Sequence, residues 1–335
     1  KIGFESTAHY ALNLELFLEN AHHSFMEVNP VLIKEYKKST TLRRTKTDSV
    51  DCESIARWLI TVEYKPHSKG FYHAYSLKSL TRLRDRLIRQ RSFYLVKITN
   101  VLDHTFPEFK PFFNERLSKT ALYLLENYGS AEKMARMNSA SYDKLRCISR
   151  GKFSIQQFLR LKELAANTVG VNNSIFDLEL NTLLTLYKSL SDEINTLETE
   201  IIKLIEEVHP HYMSIPGIGP ISSAVIYAEY GDISNFSNPG QMLAFAGIEP
   251  GINDSGTESH GGRMVKHGSS QLRYVLLNAC LPLIRFDLTF ATYYEKKRAE
   301  GKKHRVAITH VAKKLIRVIY ALERQDVDFN AQKLR

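Results

Sequence analysis

The sequence predicts an α/β layer followed by a mostly α-helical chain, and three observations carry that class. Residues 1–66 alternate between strand and helix periods. A strict 3-4-3-4 apolar repeat runs from Leu180 to Val208. Residues 210–325 hold apolar helices separated by glycine-containing turns. With 335 residues, 43% apolar and 10% aromatic, the chain is globular and long enough for two or three cores. Its longest apolar stretch, Val275 to Ile284, is about half the roughly 20 residues a bilayer requires, so no membrane span is expected.

Each element follows from its own pattern. Lys1–Glu5 reads as the end of a strand, which leads us to expect residues upstream. Tyr10–Asn20 carries apolar positions suited to a packed helix, and Ser24–Asn29 alternates as a second strand stopped by Pro30. Val31–Ser39 is a short helix, and Asp48–Val62 a longer one with Val50, Ile55, Ala56, Leu59 and Ile60 on its apolar side. Strand, helix, strand, helix implies a parallel sheet. Residues 67–173 read as connected helices, the first (Leu77–Leu102) long and basic, with turns or caps at Gly129-Ser130 and Ser139. Leu180, Leu183, Tyr187, Leu190, Ile194, Leu197, Ile201, Leu204 and Val208 then keep an a/d spacing, so residues 174–209 are expected to form a coiled coil. At 1.5 Å per residue it spans roughly 50 Å, folding back on the chain or pairing with a second copy; we expect a homo-oligomer, a dimer or tetramer. Residues 210–325 form the last module: helices over Ile221–Tyr230 and Phe236–Ala246, a Gly-rich polar loop at 247–268, a helix capped by Ser269 or Ser270, and a final helix over Arg305–Arg324.

Charge is unevenly spread. The net charge is +10, but six basic residues against Glu35 fall between Lys34 and Lys46, and six against Asp85 between Arg82 and Lys97. Nine against Glu300 fall between Lys296 and Arg317, whereas Asp177–Glu207 holds eight acids and two lysines. One such run is a solvated helix face. Three runs separated by an acidic helix point to nucleic-acid surfaces on either side of a spacer. Cys52, Cys147 and Cys280 lie far apart without a CxxC, which excludes a disulfide framework and suits a reducing cytoplasm.

Three constellations could carry chemistry. Pro216-Gly217-Ile218-Gly219 has the form of a helix-hairpin-helix turn, whose glycines would let the backbone approach a phosphate at the following helix N-terminus. The same residues also fit a tight turn between packed helices. Asp48 and Asp51 stand i, i+3 at a helix start; they either cap the helix or share a divalent cation with Glu5, an acid at a strand end. Strand and helix carboxylates together are how two-metal nucleases hold magnesium. Finally, Ser255 lies in a glycine loop with Arg263, Lys266, His267 and Arg273. There it would attack a phosphodiester held by cations or, alternatively, contact backbone phosphates. Arg43, Arg44 and Lys46 beside the acid pair are expected to bind nucleic acid as well.

The assembled residues resemble the DEDD-type insertion-sequence transposases of the one-ten family, which are related to pilin-gene invertases. The resemblance is carried by Ile2-Gly3-Phe4-Glu5-Ser6-Thr7-Ala8-His9-Tyr10, by Arg44-Thr45-Lys46-Thr47-Asp48-Ser49-Val50-Asp51, and by the long stretch SIPGIGPISSAVIYAEYGD, NPGQMLAFAGIEPG, SGT and KHGSSQLR between Ser214 and Arg273. It implies an RNase H-like, resolvase-like N-terminal domain over 1–66 with an Asp-Glu-Asp-Asp magnesium site, and a serine transposase domain over 210–325. Glu5 matches the family Glu, Asp48 and Asp51 the closing Asp pair, and Ser255 the serine; the first Asp is expected on a strand upstream of Lys1. The resemblance further implies DNA recombination guided by a structured RNA at the nucleoid of a bacterial or archaeal cell. Two other readings stand beside it: a catalytically incomplete nucleic-acid-binding remnant, and a metal-only junction nuclease.

Overall fold

Ile2–Glu5 (β1) and Phe25–Val28 (β2) pair in parallel, with Ile2 opposite Phe25 and Glu5 opposite Val28. A computed structural model describes residues 1–5, 9–40, 47–64, 71–114, 117–255, 258–266 and 268–334; for 9–10, 71–73, 250–255, 258–263 and 333–334 it describes the backbone alone. The chain divides into two compact units, Lys1–Phe71 and Tyr72–Arg335.

In the first unit the parallel pair requires a crossover, which α1 (His9–Asn20) supplies. Two further helices follow, α2 (Pro30–Thr40) and α3 (Asp48–Thr61). Thr47 caps α3, its Oγ1 accepting from Val50 N at 3.3 Å. The helix packs directly on β1, because a Cβ on Gly3 would lie 2.5 Å from Leu59 Cδ1. Tyr64 Oη donates to the Ser24 carbonyl at 2.7 Å and accepts from Ile2 N at 3.3 Å, tying the segment after α3 to β1 and to the residue preceding β2.

The second unit begins with the 35-residue α4 (Phe71–Thr105). Five short helices follow: α5 (Phe109–Phe112), α6 (Lys119–Tyr128), α7 (Ala131–Ala135), α8 (Ser139–Ile148) and α9 (Ile155–Ala166). Ser118, Ser130, Asn138 and Ser154 cap four of them through their side chains, which is why short pieces hold helical form. Their core gathers Phe109, Leu124, Leu125, Met134, Leu145 and Leu161 around Leu102 of α4.

The long apolar repeat becomes α10 (Ser174–Val208). Its stripe meets helices of its own chain. Leu180 and Leu184 join the core under α6, while Ile201 and Ile205 pack with Leu77 of α4. Arg84 of α4 donates to Glu198 of α10 through Nε at 2.8 Å, and the His104 and Phe176 rings stack at 5.8 Å. The residue numbers run in opposite directions, so α4 and α10 lie antiparallel. A heptad repeat specifies a seam and leaves open whose helix fills it; here the chain folds back on itself.

Beyond a 3₁₀ turn at His211–Ser214 come α11 (Pro220–Tyr230) and α12 (Pro239–Ala246). Residues expected as a loop form an antiparallel hairpin, β3 (Pro250–Ser255) and β4 (Glu258–Met264). Its glycines and polar residues hide a strand period, since backbone pairing rather than apolar alternation makes this ladder. Then follow α13 (Ser270–Phe286), α14 (Leu288–Ala299) and α15 (His304–Gln325). Val311, Leu315 and Ile319 of α15, Leu272 and Leu276 of α13 and Phe290 of α14 form this core. Among the described residues no single helix is long and apolar enough to cross a membrane.

Candidate functional site

In the first unit the predicted acids fall on two elements, Glu5 on β1 and Asp48 and Asp51 in the first turn of α3. Glu5 closes β1 opposite Val28, and Asp51, Ile55 and Leu59 share one stripe of α3 by their i, i+4, i+8 spacing. Leu59 lies over Gly3. Lys37 of α2 forms an ion pair with Asp51. Asp48 is exposed at the first turn, where an acid also favours the helix dipole. Carboxylates are the donors a hard divalent cation takes. Among the described residues, however, no three His, Cys, Asp or Glu side chains are placed to hold one ion. Arg43, Arg44 and Lys46 lie outside the described residues.

A carboxylate that sequence reading passed over is perturbed by burial. Glu15 on α1 is buried, and its carboxyl is pushed up to about 7 by desolvation and then by the neighbouring Glu27 and Glu19. The sequence signal was available: Glu15 falls between Ala11 and Leu18 at helical spacing, on the buried face of α1.

In the second unit Ser255 ends β3, paired in register with Glu258, and Asp254 pairs with Ser259. The hairpin is rooted tightly. Val265 N donates to Glu249 O at 2.8 Å, closing the two strands where they leave the helices. Gly247 caps α12 with φ +66°, and a Cβ there would meet Arg273 Nη1 at 2.7 Å and Gly268 N at 2.8 Å. The guanidinium of Arg273 donates to the carbonyl of Ala246 at 3.0 Å and lies 3.4 Å from that of Gly268. Arg273, expected among the nucleic-acid contacts, is thus occupied in binding the strand–helix junction. Lys266 is exposed beside it; the side chain of Arg263 and the whole of His267 lie outside the described residues.

The glycines of the turn before α11 have separate roles. Gly217 has φ +95°, and a Cβ on it would meet Pro282 Cγ of α13 at 2.7 Å, so close packing explains it. The element before it is a 3₁₀ turn, not the long helix a helix-hairpin-helix would place there. Gly219, by contrast, caps α11 in open space.

The basic runs are partly neutralised within the fold. Arg82 grips the buried Glu229 of α11 with two hydrogen bonds, at 3.0 and 3.1 Å. Arg84 holds Glu198, and Arg89 pairs with Asp85 at 2.9 Å. His211 lies between Asp326 and Asp328 at 2.9 and 3.0 Å, and these carboxylates raise its pKa.

Comparison with known proteins places these features. A family model described as "Transposase IS116/IS110/IS902 family" matches residues 210–295, and a DEDD transposase model of the same group matches residues 1–107. Together they take in more than half of the sequence, including Glu5, Asp48, Asp51 and Ser255. The chain belongs to the IS110 family of insertion-sequence transposases. It is 27% identical over 245 residues to the insertion element IS110 43.6 kDa protein of Streptomyces coelicolor, covering 70% of this chain and 60% of that protein. It is 28% identical over 298 residues to the insertion element IS900 42 kDa protein of Mycobacterium paratuberculosis, covering 83% and 71%. With the transposase for insertion sequence element IS1111A of Coxiella burnetii it shares 25% identity over 260 residues, covering 77% and 59%. The two IS110-family segments coincide with the acid-bearing unit plus α4, and with the stretch from the 3₁₀ turn into α14.

Proposed function

We propose that this chain is a DNA transposase that cuts and rejoins strands through Ser255, with Glu5, Asp48 and Asp51 as a divalent-metal site. The observation that carries the reading is Ser255 at the end of β3, on a hairpin fixed by Gly247, Gly268 and Arg273. A nucleophile held on a rigid root is pre-oriented, which lowers the entropic part of a barrier. The hydroxyl oxygen of Ser255 attacks a backbone phosphorus and gives up its proton. One P–O bond to the neighbouring sugar breaks, and the departing oxygen takes a proton. The resulting serine–DNA ester conserves the bond for religation to a new strand. Lys266 neutralises phosphate charge nearby. Were Glu5, Asp48 and Asp51 brought together on Mg²⁺, the ion would supply charge neutralisation on phosphate oxygens, and Asp51 would first have to be released from its ion pair with Lys37. Family membership also supports a structured guide RNA and an oligomer in which acids of one subunit serve the serine of another.

The test is trapping of covalent protein–DNA adducts on a DNA substrate carrying the element's ends. Ser255→Ala is expected to abolish adducts while leaving DNA affinity within about threefold. Adducts that persist remove the serine assignment. Cleavage that leaves free ends and no adduct favours the metal-only nuclease, and DNA binding without any cleavage favours the remnant.

A further inference from the structure

Between α4, α11 and α13 lies a groove of about 700 Å³, within the range of small-ligand sites. Its floor is apolar, formed by Ile88, Ile221, Val225 and Val275. Its rim is not: Tyr274 lines it with 69% of its surface exposed, and Arg89 borders it with 73% of its side chain exposed. The first turns of two helices open onto it, Ile221 and Ser222 of α11 and Ser270 and Gln271 of α13. The α11 end has no side-chain cap, since Gly219 provides none. An exposed aromatic over an apolar floor takes a flat ring, and amide dipoles with an arginine take an anion. The acids at the groove are accounted for: Asp85 accepts from Arg89 and, at 3.5 Å, from Gln271, while Glu198 holds Arg84. The groove also adjoins the hairpin root, because Ser270 follows Gly268 by two residues.

We propose that this groove binds an unpaired nucleotide of a DNA strand, its base stacked on Tyr274 and its phosphate at the uncapped amino end of α11 and Arg89. The inference rests on the DNA-processing reading and adds to it that strand separation beside the hairpin is stabilised by this groove. Arg89 keeps Asp85 through Nη2 and offers its remaining guanidinium donors to the phosphate.

The experiment compares binding of a fluorescent single-stranded DNA 12-mer, the same RNA sequence and a DNA duplex to the full chain. Tyr274→Ala is expected to weaken single-stranded DNA binding about tenfold, in line with base–aromatic stacking, and to leave duplex binding within twofold. Tyr274→Phe keeps the ring and is expected to bind like the parent. Arg89→Ala should lower the salt slope for the single strand by about one contact. Equal loss for strand and duplex, or no loss at all, overturns the proposal, and so does RNA binding more tightly than DNA with the same Tyr274 dependence. The outcome is separable from the serine assignment: Tyr274→Ala without effect alongside an adduct-free Ser255→Ala removes the groove alone. Adducts persisting in Ser255→Ala, with the Tyr274 effect present, remove the serine alone.

Discussion

Gly268 lies so close against Phe245 that a Cβ built on it would come within 2.0 Å of the Phe245 carbonyl oxygen. Two stretches 23 residues apart, one ending α12 and the other preceding α13, therefore touch backbone to backbone at the foot of the hairpin. Gly268→Ala is expected to cost about 3 kcal/mol, since the obstructing atom is backbone and cannot rotate away. Gly219→Ser is the contrast: its site is open and serine is a better cap, so stability should rise by a few tenths of a kcal/mol. Urea unfolding of both variants checks the pair.

Arg273 is expected to behave as a structural residue. Arg273→Ala leaves the Ala246 carbonyl without its charged donor, a loss of about 2 kcal/mol. Hydrogen exchange should then accelerate from Glu249 to Val265, where the strands are joined. The salt dependence of DNA binding should stay unchanged, because a guanidinium already bound to carbonyls neutralises no phosphate. A reduced salt slope would return Arg273 to the nucleic-acid surface.

These two residues also show what was legible in the sequence. Strand–helix alternation over 1–66, the helix starts and the long repeat of α10 could be read because apolar periodicity is local. So could Ser269 as a cap, which accepts from Leu272 N at 3.2 Å. What could not be read depends on partners far away in sequence. The charge runs looked like free surface, yet Arg82 and Arg84 answer to Glu229 and Glu198, more than a hundred residues later. The α10 stripe announced a seam but not α4 as its occupant. Gly217 signalled close approach, and only the fold shows that Pro282 of α13 lies against it. The hairpin was missed because its residues carry no apolar alternation.

Glu15 makes the first unit sensitive to pH. Its folded pKa is raised, so its contribution to stability is fully present below the unfolded value of 4.5 and is lost as pH rises through about 7. Glu15→Gln, which removes the charge and keeps the shape, should stabilise the unit at pH 8 by about 2 kcal/mol and change little at pH 4.5. Denaturation at the two pH values decides it; equal effects at both would mean the side chain acts through packing.

His211 works in the same direction in a higher window. Asp328 and Asp326 raise its pKa, so the stability it adds is present below about 6.5 and is lost as pH rises through the folded value. The tie joins the 3₁₀ turn to the chain beyond α15, where Phe329 N also donates to Ser214 Oγ at 2.8 Å. Glu323, raised by burial and accepting from Tyr212 N, titrates in the same neighbourhood, but its loss begins nearer 4.5. His211→Gln should therefore flatten the thermal melting curve's dependence on pH above 6.5 and leave the acidic limb. A curve unchanged above 6.5 would remove His211 from the linkage.

The clasp between α4 and α11 gives an asymmetric expectation. Glu229 has 2% of its side chain exposed, whereas Arg82 has 48%. Removing Arg82 leaves a buried carboxylate with, among the described residues, Lys78 at 4.0 Å to balance it; removing Glu229 frees an arginine that water already reaches. Arg82→Ala should thus destabilise by roughly 3 kcal/mol, and adding Glu229→Gln to it should recover part of that loss. Such recovery is what a double-mutant cycle reads as coupling. If instead the two changes add, the carboxylate is solvated in the single variant and α4 has moved away from α11, a displacement that faster hydrogen exchange along both helices would report.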